Sequence, residues 1–167
     1  KKNVLDFAGG KINMWIGKPQ HIGINEVDKK QYDSLRKVDY INGACMLAKK
    51  EMLNKVGLLD PIYFLYWEEN DWCYRAHQLG FESFYTPKAQ IWHKTAVSIK
   101  TSGLGEYYMI RNKIIFMKKY ANKPQFITFL VYLFSIQFWV NIKHLIVQKK
   151  LKKVKLYFKG IYNGFLS

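Results

Sequence analysis

At 167 residues the chain is long enough to fold around its own core, with no need of disulfide or metal staples. Its composition, 49% hydrophobic and 17% aromatic, excludes a disordered chain, and no repeat or low-complexity tract points to a solenoid or fibre. The net charge of +15 is unevenly placed: residues 1–100 hold 15 basic and 11 acidic side chains, whereas residues 101–167 hold 12 basic ones and Glu106 as their single acid. A basic C-terminal part seeks phosphate, which lipid headgroups and nucleic acid both supply.

The opening KKNVLDFAGG has neither an initiator Met nor a first hydrophobic strand, which reads as a piece of a longer protein. Cys45 and Cys73 lie in apolar runs without CxxC spacing, so two reduced, buried thiols in a cytoplasmic setting are expected.

Up to Asp39 the chain reads as loop, broken by Gly9, Gly10, Gly17, Pro19 and Gly23. The apolar run Val38 to Ala48 (VDYINGACMLA) predicts a buried strand, with Gly43 admitting close approach of backbone or ligand. Lys49 to Val56 predicts a short helix stopped by Gly57. A second helix is predicted from about Trp67 to Leu79, closed by Gly80. At about 100° per residue, Trp72, Cys73, Ala76 and Leu79 form its apolar face with Glu69 at the head, while Glu68, Asp71 and Arg75 share an adjacent, outward face. Phe81 to Pro87 and Ala89 to His93 read as two short strands, with His93 at the end of the second. EYYMIRNKIIFMKKY predicts an amphipathic helix presenting Arg111, Lys113, Lys118 and Lys119.

Phe126 to Val140 is uncharged but shorter than the roughly 20 residues of a free-standing span, and Asn141, Lys143 and His144 break its apolar character beyond Val140. With Tyr132, Trp139 and the basic KKLKKVKLYFK after it, the reading is a helix lying in or dipping into an anionic leaflet, with a buried core helix as the alternative. No RNP-like or zinc motif accompanies the basic tail, so no nucleic acid partner is expected.

The chemistry concentrates in YWEENDWCYR, Tyr66 to Arg75. Acids at a helix start complement its dipole, which alone would explain Glu68 and Asp71. Glu69 is different, because a carboxylate on an apolar face is costly unless something uses or pairs it. Two adjacent carboxylates in a partly dry site push one pKa upward, which suits a general base acting on a hydroxyl. His93 and Lys94 are open to a structural reading, or to one in which carboxylates, an imidazole and a lysine hold a divalent ion and a diphosphate. No Walker loop, GxGxxG or nucleophilic serine motif is present.

In order along the chain stand the Gly43-Ala44-Cys45 run, the helix ending in Val56-Gly57-x-x-Asp60, the acidic cluster with Arg75, Gly80-Phe81, Pro87 and His93. This series resembles the second half of the catalytic domain of family 2 glycosyltransferases, especially rhamnosyltransferase-like members, over roughly residues 4–98. Tyr107 to Asn112 (YYxxRN) is similar to the basic helix that follows in them. The resemblance implies an α/β fold: part of a GT-A fold, a mixed sheet with flanking helices, followed by C-terminal amphipathic and hydrophobic helices. Residues 1–105 would form the acceptor-side half, and residues 106–167 a membrane-associating tail. It implies an inverting transfer from a nucleotide-activated sugar to a glycan or lipid-linked acceptor at the cytoplasmic face of the cell membrane, in polysaccharide or cell-envelope synthesis. Glu69 stands where the family's Glu-Asp-x-Asp motif has its base, with Glu in place of Asp, and Glu68 stays open as the base. Asn42, Gly43, Trp67, Asp71, Arg75 and Lys94 are the expected substrate-binding residues, Trp67 packing on a sugar and Asp71 and Arg75 orienting the carboxylates. His93 is the expected ligand of a divalent Mg or Mn ion. The family's Asp-x-Asp motif and nucleotide-binding strands are not found from Lys1 onward, so the isolated chain is expected to be inactive. The rival readings are a non-enzymatic basic module for membranes or nucleic acid, and a degenerate transferase domain serving as scaffold.

Overall fold

The computed structural model describes residues 3–93 and 104–167. Its elements run β1 (Gly10–Asn13), β2 (Lys18–His21), β3 (Arg36–Val38), α1 (Lys50–Val56), α2 (Glu68–Gln78), β4 (Ser83–Tyr85), α3 (Leu104–Tyr120), α4 (Lys123–Tyr132), a π-helical turn (Leu133–Gln137), α5 (Phe138–Val147) and α6 (Leu151–Leu166). The class is mixed α/β, and the described residues form two two-stranded sheets, β1 with β2 and β3 with β4, in place of one larger mixed sheet. The described residues divide into two compact units. One is drawn from Lys1–Ile12, Pro19–Pro61 and Glu68–Thr95, the other from Asn13–Lys18, Ile62–Trp67 and Ala96–Ser167.

In the first unit β3 and β4 pair antiparallel, Arg36 with Tyr85, Lys37 with Phe84 and Val38 with Ser83. Ala8, Val38, Tyr40, Trp72, Cys73 and Ala76 form its core. Both predicted helices are present. α1 has no buried residue and carries the Glu51–Lys55 pair, and Gly57 ends it with φ of 79°. α2 begins with three acids in its first turn, and Gly80 follows it at φ 81°. The two helices are tied by Trp72 Nε1, which donates to the Gly57 carbonyl at 2.8 Å.

Several strand expectations are corrected. Val38 to Ala48 is not a strand: β3 ends at Val38, Tyr40 makes a lone bridge to Gly10, and the chain turns over Gly43 and Ala44. The Asn42 side chain accepts from the Ala44 N–H at 2.9 Å, an Asx turn that competes with extension. Cys45 is consequently exposed, against the expected burial, while Cys73 is buried; both are free thiols. Among the described residues nothing lies within 4 Å of the point where a Gly43 side chain would begin, so no close approach of their backbone explains that glycine. Phe81 to Pro87 shrinks to β4, and Ala89 to His93 forms no strand, with Trp92 95% exposed. Conversely, the stretch read as loop before Asp39 contains β1, β2 and β3.

In the second unit α3 is the central element. Ile110 and every residue from Asn112 to Met117 are buried, so the expected amphipathic helix is covered nearly all round, and Lys113 is 6% exposed. α6 packs on α3 through Gly160 and Gly164. A methyl at Gly160 would come within 2.6 Å of the Tyr107 carbonyl, and one at Gly164 within 2.9 Å of that of Arg111. Four-residue spacing of small residues permits this close approach of helices. Asn163 and Tyr107 add a hydrogen bond of 2.8 Å, and Lys153 and Glu106 an ion pair of 2.7 Å.

Asn122 caps α4 in a reciprocal box with Gln125, with Pro124 in the first turn. From there the helix runs through the π turn to Val147, 25 residues with only 11% of its most apolar window buried. It is longer than the uncharged run because Asn141, Lys143 and His144 remain helical. Such exposure argues against a core helix: Ile127, Val131, Trp139, Val140 and Val147 are each at least 60% exposed.

Candidate active site

α2 carries the acidic cluster, and its two leading glutamates differ from the third acid. Glu69 and Glu68 each bury one carboxyl oxygen, Oε2, that has no hydrogen-bond partner among the described residues. Burial first, and then the adjacent Glu68 carboxylate, push the Glu69 pKa up to about 7, against a smaller opposing effect of its own backbone N–H. A carboxylate poised near neutrality can take a proton from a hydroxyl and later release it.

Tyr40 stands close enough for the Glu69 charge to act on it. Its ring is 1% exposed and its hydroxyl has no partner among the described residues. Burial, followed by Glu69 and Asp39, raises the phenol far above its ordinary range, so it remains a protonated donor at neutral pH. The ring lies directly over Gly10, where any side chain would overlap it. His21 and Phe7 complete an aromatic group, with His21 5.1 Å from Phe7 and 5.9 Å from Tyr40, centroid to centroid. The His21 Nδ1 is also buried without a partner among the described residues, and burial, opposed by the Asp6 charge, lowers its pKa. Glu68, Glu69, Tyr40 and His21 therefore supply four of the six buried polar side-chain atoms that lack a partner among the described residues of this unit, Arg36 Nε and Asn70 Nδ2 being the others.

The other expected residues are placed as follows. Asp71 is 0% exposed rather than outward, and its Oδ2 accepts from Arg75 Nε at 2.8 Å. Arg75 also donates to the carbonyls of Val56 and Leu58, so the pair fastens α2 to the end of α1. Trp67 is 2% exposed with its ring 5.0 Å from that of Phe116, a place in the second unit's core. Asn42 and Gly43 form the turn described above, and Lys94 lies outside the described residues. His93 is exposed, with Nδ1 3.1 Å from Asp6 Oδ2. Among the described residues no group of three His, Cys, Asp or Glu side chains suited to an ion exists, so these two side chains alone do not make up a metal site. Cys73 is inert by position: burial raises its thiol pKa, against hydrogen bonds to Ile41 and Ser83.

The segment leading into α2 is held under strain. Phe64, Tyr66 and Trp67 have φ of 55°, 64° and 75°, a region disfavoured for bulky side chains. Asn112, buried on α3, compensates by donating to the carbonyls of Tyr63, Leu65 and Tyr66 at 2.6, 2.8 and 2.9 Å. Arg111 adds a bond of 2.7 Å to the Ile62 carbonyl. Tyr40 and His21 escaped the sequence reading as polar groups of the site, and Asn112, noted there only within YYxxRN, escaped it as a support of this segment, because their partners lie tens of residues away. The one local sign was Gly10, a glycine with a packing reason that spacing does not reveal.

Comparison with known proteins adds a partial likeness. Over 65 residues the chain is 35% identical to the N-acetylglucosaminyl-diphospho-decaprenol L-rhamnosyltransferase of Mycobacterium tuberculosis, covering 39% of this chain and 21% of that protein. Over 45 residues it is 36% identical to the low-salt glycan biosynthesis hexosyltransferase Agl10 of Haloferax volcanii, covering 27% of this chain and 15% of that protein. The matched stretches thus span about a fifth or less of these relatives' lengths. No family model and no solved structure matches the chain. The chain therefore contains a region similar to glycosyltransferases.

Proposed function

We propose that this chain carries the acceptor-activating part of a family 2, GT-A glycosyltransferase, rhamnosyltransferase-like in its acidic helix. The observation that carries the reading is Glu69: a carboxyl group with a buried, unpartnered oxygen and a pKa near 7 beside a second carboxylate. Partial identity to two glycosyltransferases supports it independently.

The chemistry is a single displacement. Glu69 Oε2 takes the proton of the acceptor hydroxyl, and the freed oxygen forms a bond to the anomeric carbon. The bond from that carbon to the nucleoside diphosphate breaks as it forms, so the configuration inverts. The Tyr40 phenol, a donor beside Glu69, positions the acceptor oxygen, and Glu68 keeps the Glu69 pKa high. A divalent ion stays in the proposal only as a requirement of the complete enzyme, to be read by chelation; no proton or bond is assigned to it.

The acceptor is proposed to be a diphospho-prenol-linked sugar, the kind of acceptor in the rhamnosyltransferase's name. The exposed apolar helix Lys123–Val147 and the basic residues around it support a place at the cytoplasmic face of the membrane. In the full-length enzyme, Glu69→Gln should lower turnover by a factor of about 100 or more while donor affinity stays nearly unchanged. Unchanged turnover in that variant would refute the assignment.

A further inference from the structure

The second unit contains a cavity of about 470 Å³ walled by α3, α5 and α6. Its lining from α5 and the turn before it is a helical stripe, Gln137, Asn141, His144 and Leu145, while Trp139, Val140 and Val147 of the same helix are exposed. One side of α5 thus faces the cavity, and the other offers apolar surface to a membrane.

The wall is apolar in part and cationic in part. Met109, Ile110 and Leu145 supply the apolar surface. Lys150 and Lys153 supply charge, of which Glu106 compensates Lys153 through the 2.7 Å pair, whereas Lys150 hydrogen-bonds the neutral side chain of Gln148. Asn141 donates to the Tyr157 hydroxyl at 3.0 Å, which places two adjustable polar groups beside these lysines. A further cation lies behind the wall: the buried Lys113 donates from Nζ to Gln137 Oε1 at 3.0 Å. Burial, then the charge of Lys18, lowers its pKa to about 8, so it stays mostly protonated at neutral pH. Gln137 ends the π turn, an irregularity that recurs at functional sites.

We propose that this cavity binds the diphosphate and the first isoprene units of the prenyl-linked acceptor, leaving the rest of the chain in the membrane. The inference rests on the acceptor reading above. The volume lies within the range of about 300–1,000 Å³ that accepts a small ligand, too little for a whole long-chain prenol. Mixed lining and cation placement match an amphiphile with an anionic head, and the exposed helix alongside gives it an apolar route of approach.

The test uses the full-length protein in detergent with geranylgeranyl diphosphate as probe and binding as the readout. The probe should bind at least about tenfold more tightly than geranylgeraniol or inorganic diphosphate alone. Lys150→Glu should weaken the probe about tenfold and leave geranylgeraniol nearly unchanged. Lys155→Glu, the same charge change outside the cavity lining, should have little effect, and Leu145→Trp should weaken both prenyl ligands by filling the space. Equal losses in Lys150→Glu and Lys155→Glu would overturn the proposal, because they would reveal only general attraction. Displacement of the probe by phosphatidylglycerol vesicles as readily as by unlabelled geranylgeranyl diphosphate would also overturn it, in favour of a lipid headgroup. Glu69→Gln should bind the probe like the wild type. If the probe binds as stated while Glu69→Gln keeps full turnover, the cavity stands and the base assignment falls; the converse result separates them the other way.

Discussion

At the scale of single residues, the burial that raises the Glu69 pKa makes its carboxylate a burden on the fold. Its pKa moves from 4.5 to about 7 on folding, so between these values the folded state holds the proton more tightly than the unfolded one. Stability contributed by the protonated form is therefore full below about pH 4.5 and lost as pH rises to about 7, a loss of up to about 3 kcal/mol. Glu69→Gln, which stays neutral, should raise the melting temperature relative to the wild type more at pH 8 than at pH 5. Equal differences at both pH values would show that the carboxylate carries no such cost. The inward direction of Glu69 was legible from helical spacing, because a period of 3.6 residues places it beside Trp72, Cys73 and Ala76. The burial of Asp71 was not, since it depends on Arg75 and on carbonyls at the end of α1 that no local pattern announces.

At the scale of elements, α1 and α2 were readable because each has a local stop, Gly57 and Gly80, and α2 an acidic first turn. Short strands were not. β3 and β4 have three residues each and come from opposite sides of both helices in sequence, so their pairing rests on tertiary contacts. Val38 to Ala48 misleads because its apolar residues divide between the buried Tyr40 and the exposed Leu47, on either side of the Asn42 turn. Arg75, paired with Asp71 within α2, ties that helix to the end of α1, which gives a prediction at this scale. Asp71→Ala leaves the Arg75 guanidinium without its carboxylate and should cost about 3–5 kcal/mol in denaturant unfolding. A loss below about 1 kcal/mol would mean that the bonding of Arg75 to the α1 carbonyls suffices by itself. The Gly160 and Gly164 contact of α6 with α3 went unread, because a pair of glycines four apart does not say which helix it meets.

At the scale of the whole molecule, the charge asymmetry and the apolar C-terminal run were plain in the sequence, whereas the fate of that run was not. A run of 15 uncharged residues is ambiguous between core and membrane; the structure makes it part of a 25-residue helix with most of its apolar surface uncovered. The full-length protein should therefore bind phosphatidylglycerol vesicles with a salt-resistant part carried by this helix and a salt-sensitive part carried by the lysines. Val131→Asp with Val140→Asp, both at exposed positions, should remove the salt-resistant part in co-sedimentation. Retention of that part in the double variant would place the membrane contact elsewhere.

Under the proposed mechanism Glu69 is the base and Glu68 sets its pKa. The pH dependence of single-turnover sugar transfer by the full-length enzyme tests both at once. The wild-type rate should rise with pH through about 7. Glu68→Gln should move that rise to lower pH by removing the neighbouring charge, and Glu69→Gln should be about 100-fold slower and flat across it. A rise near pH 7 that persists in Glu69→Gln would contradict the account.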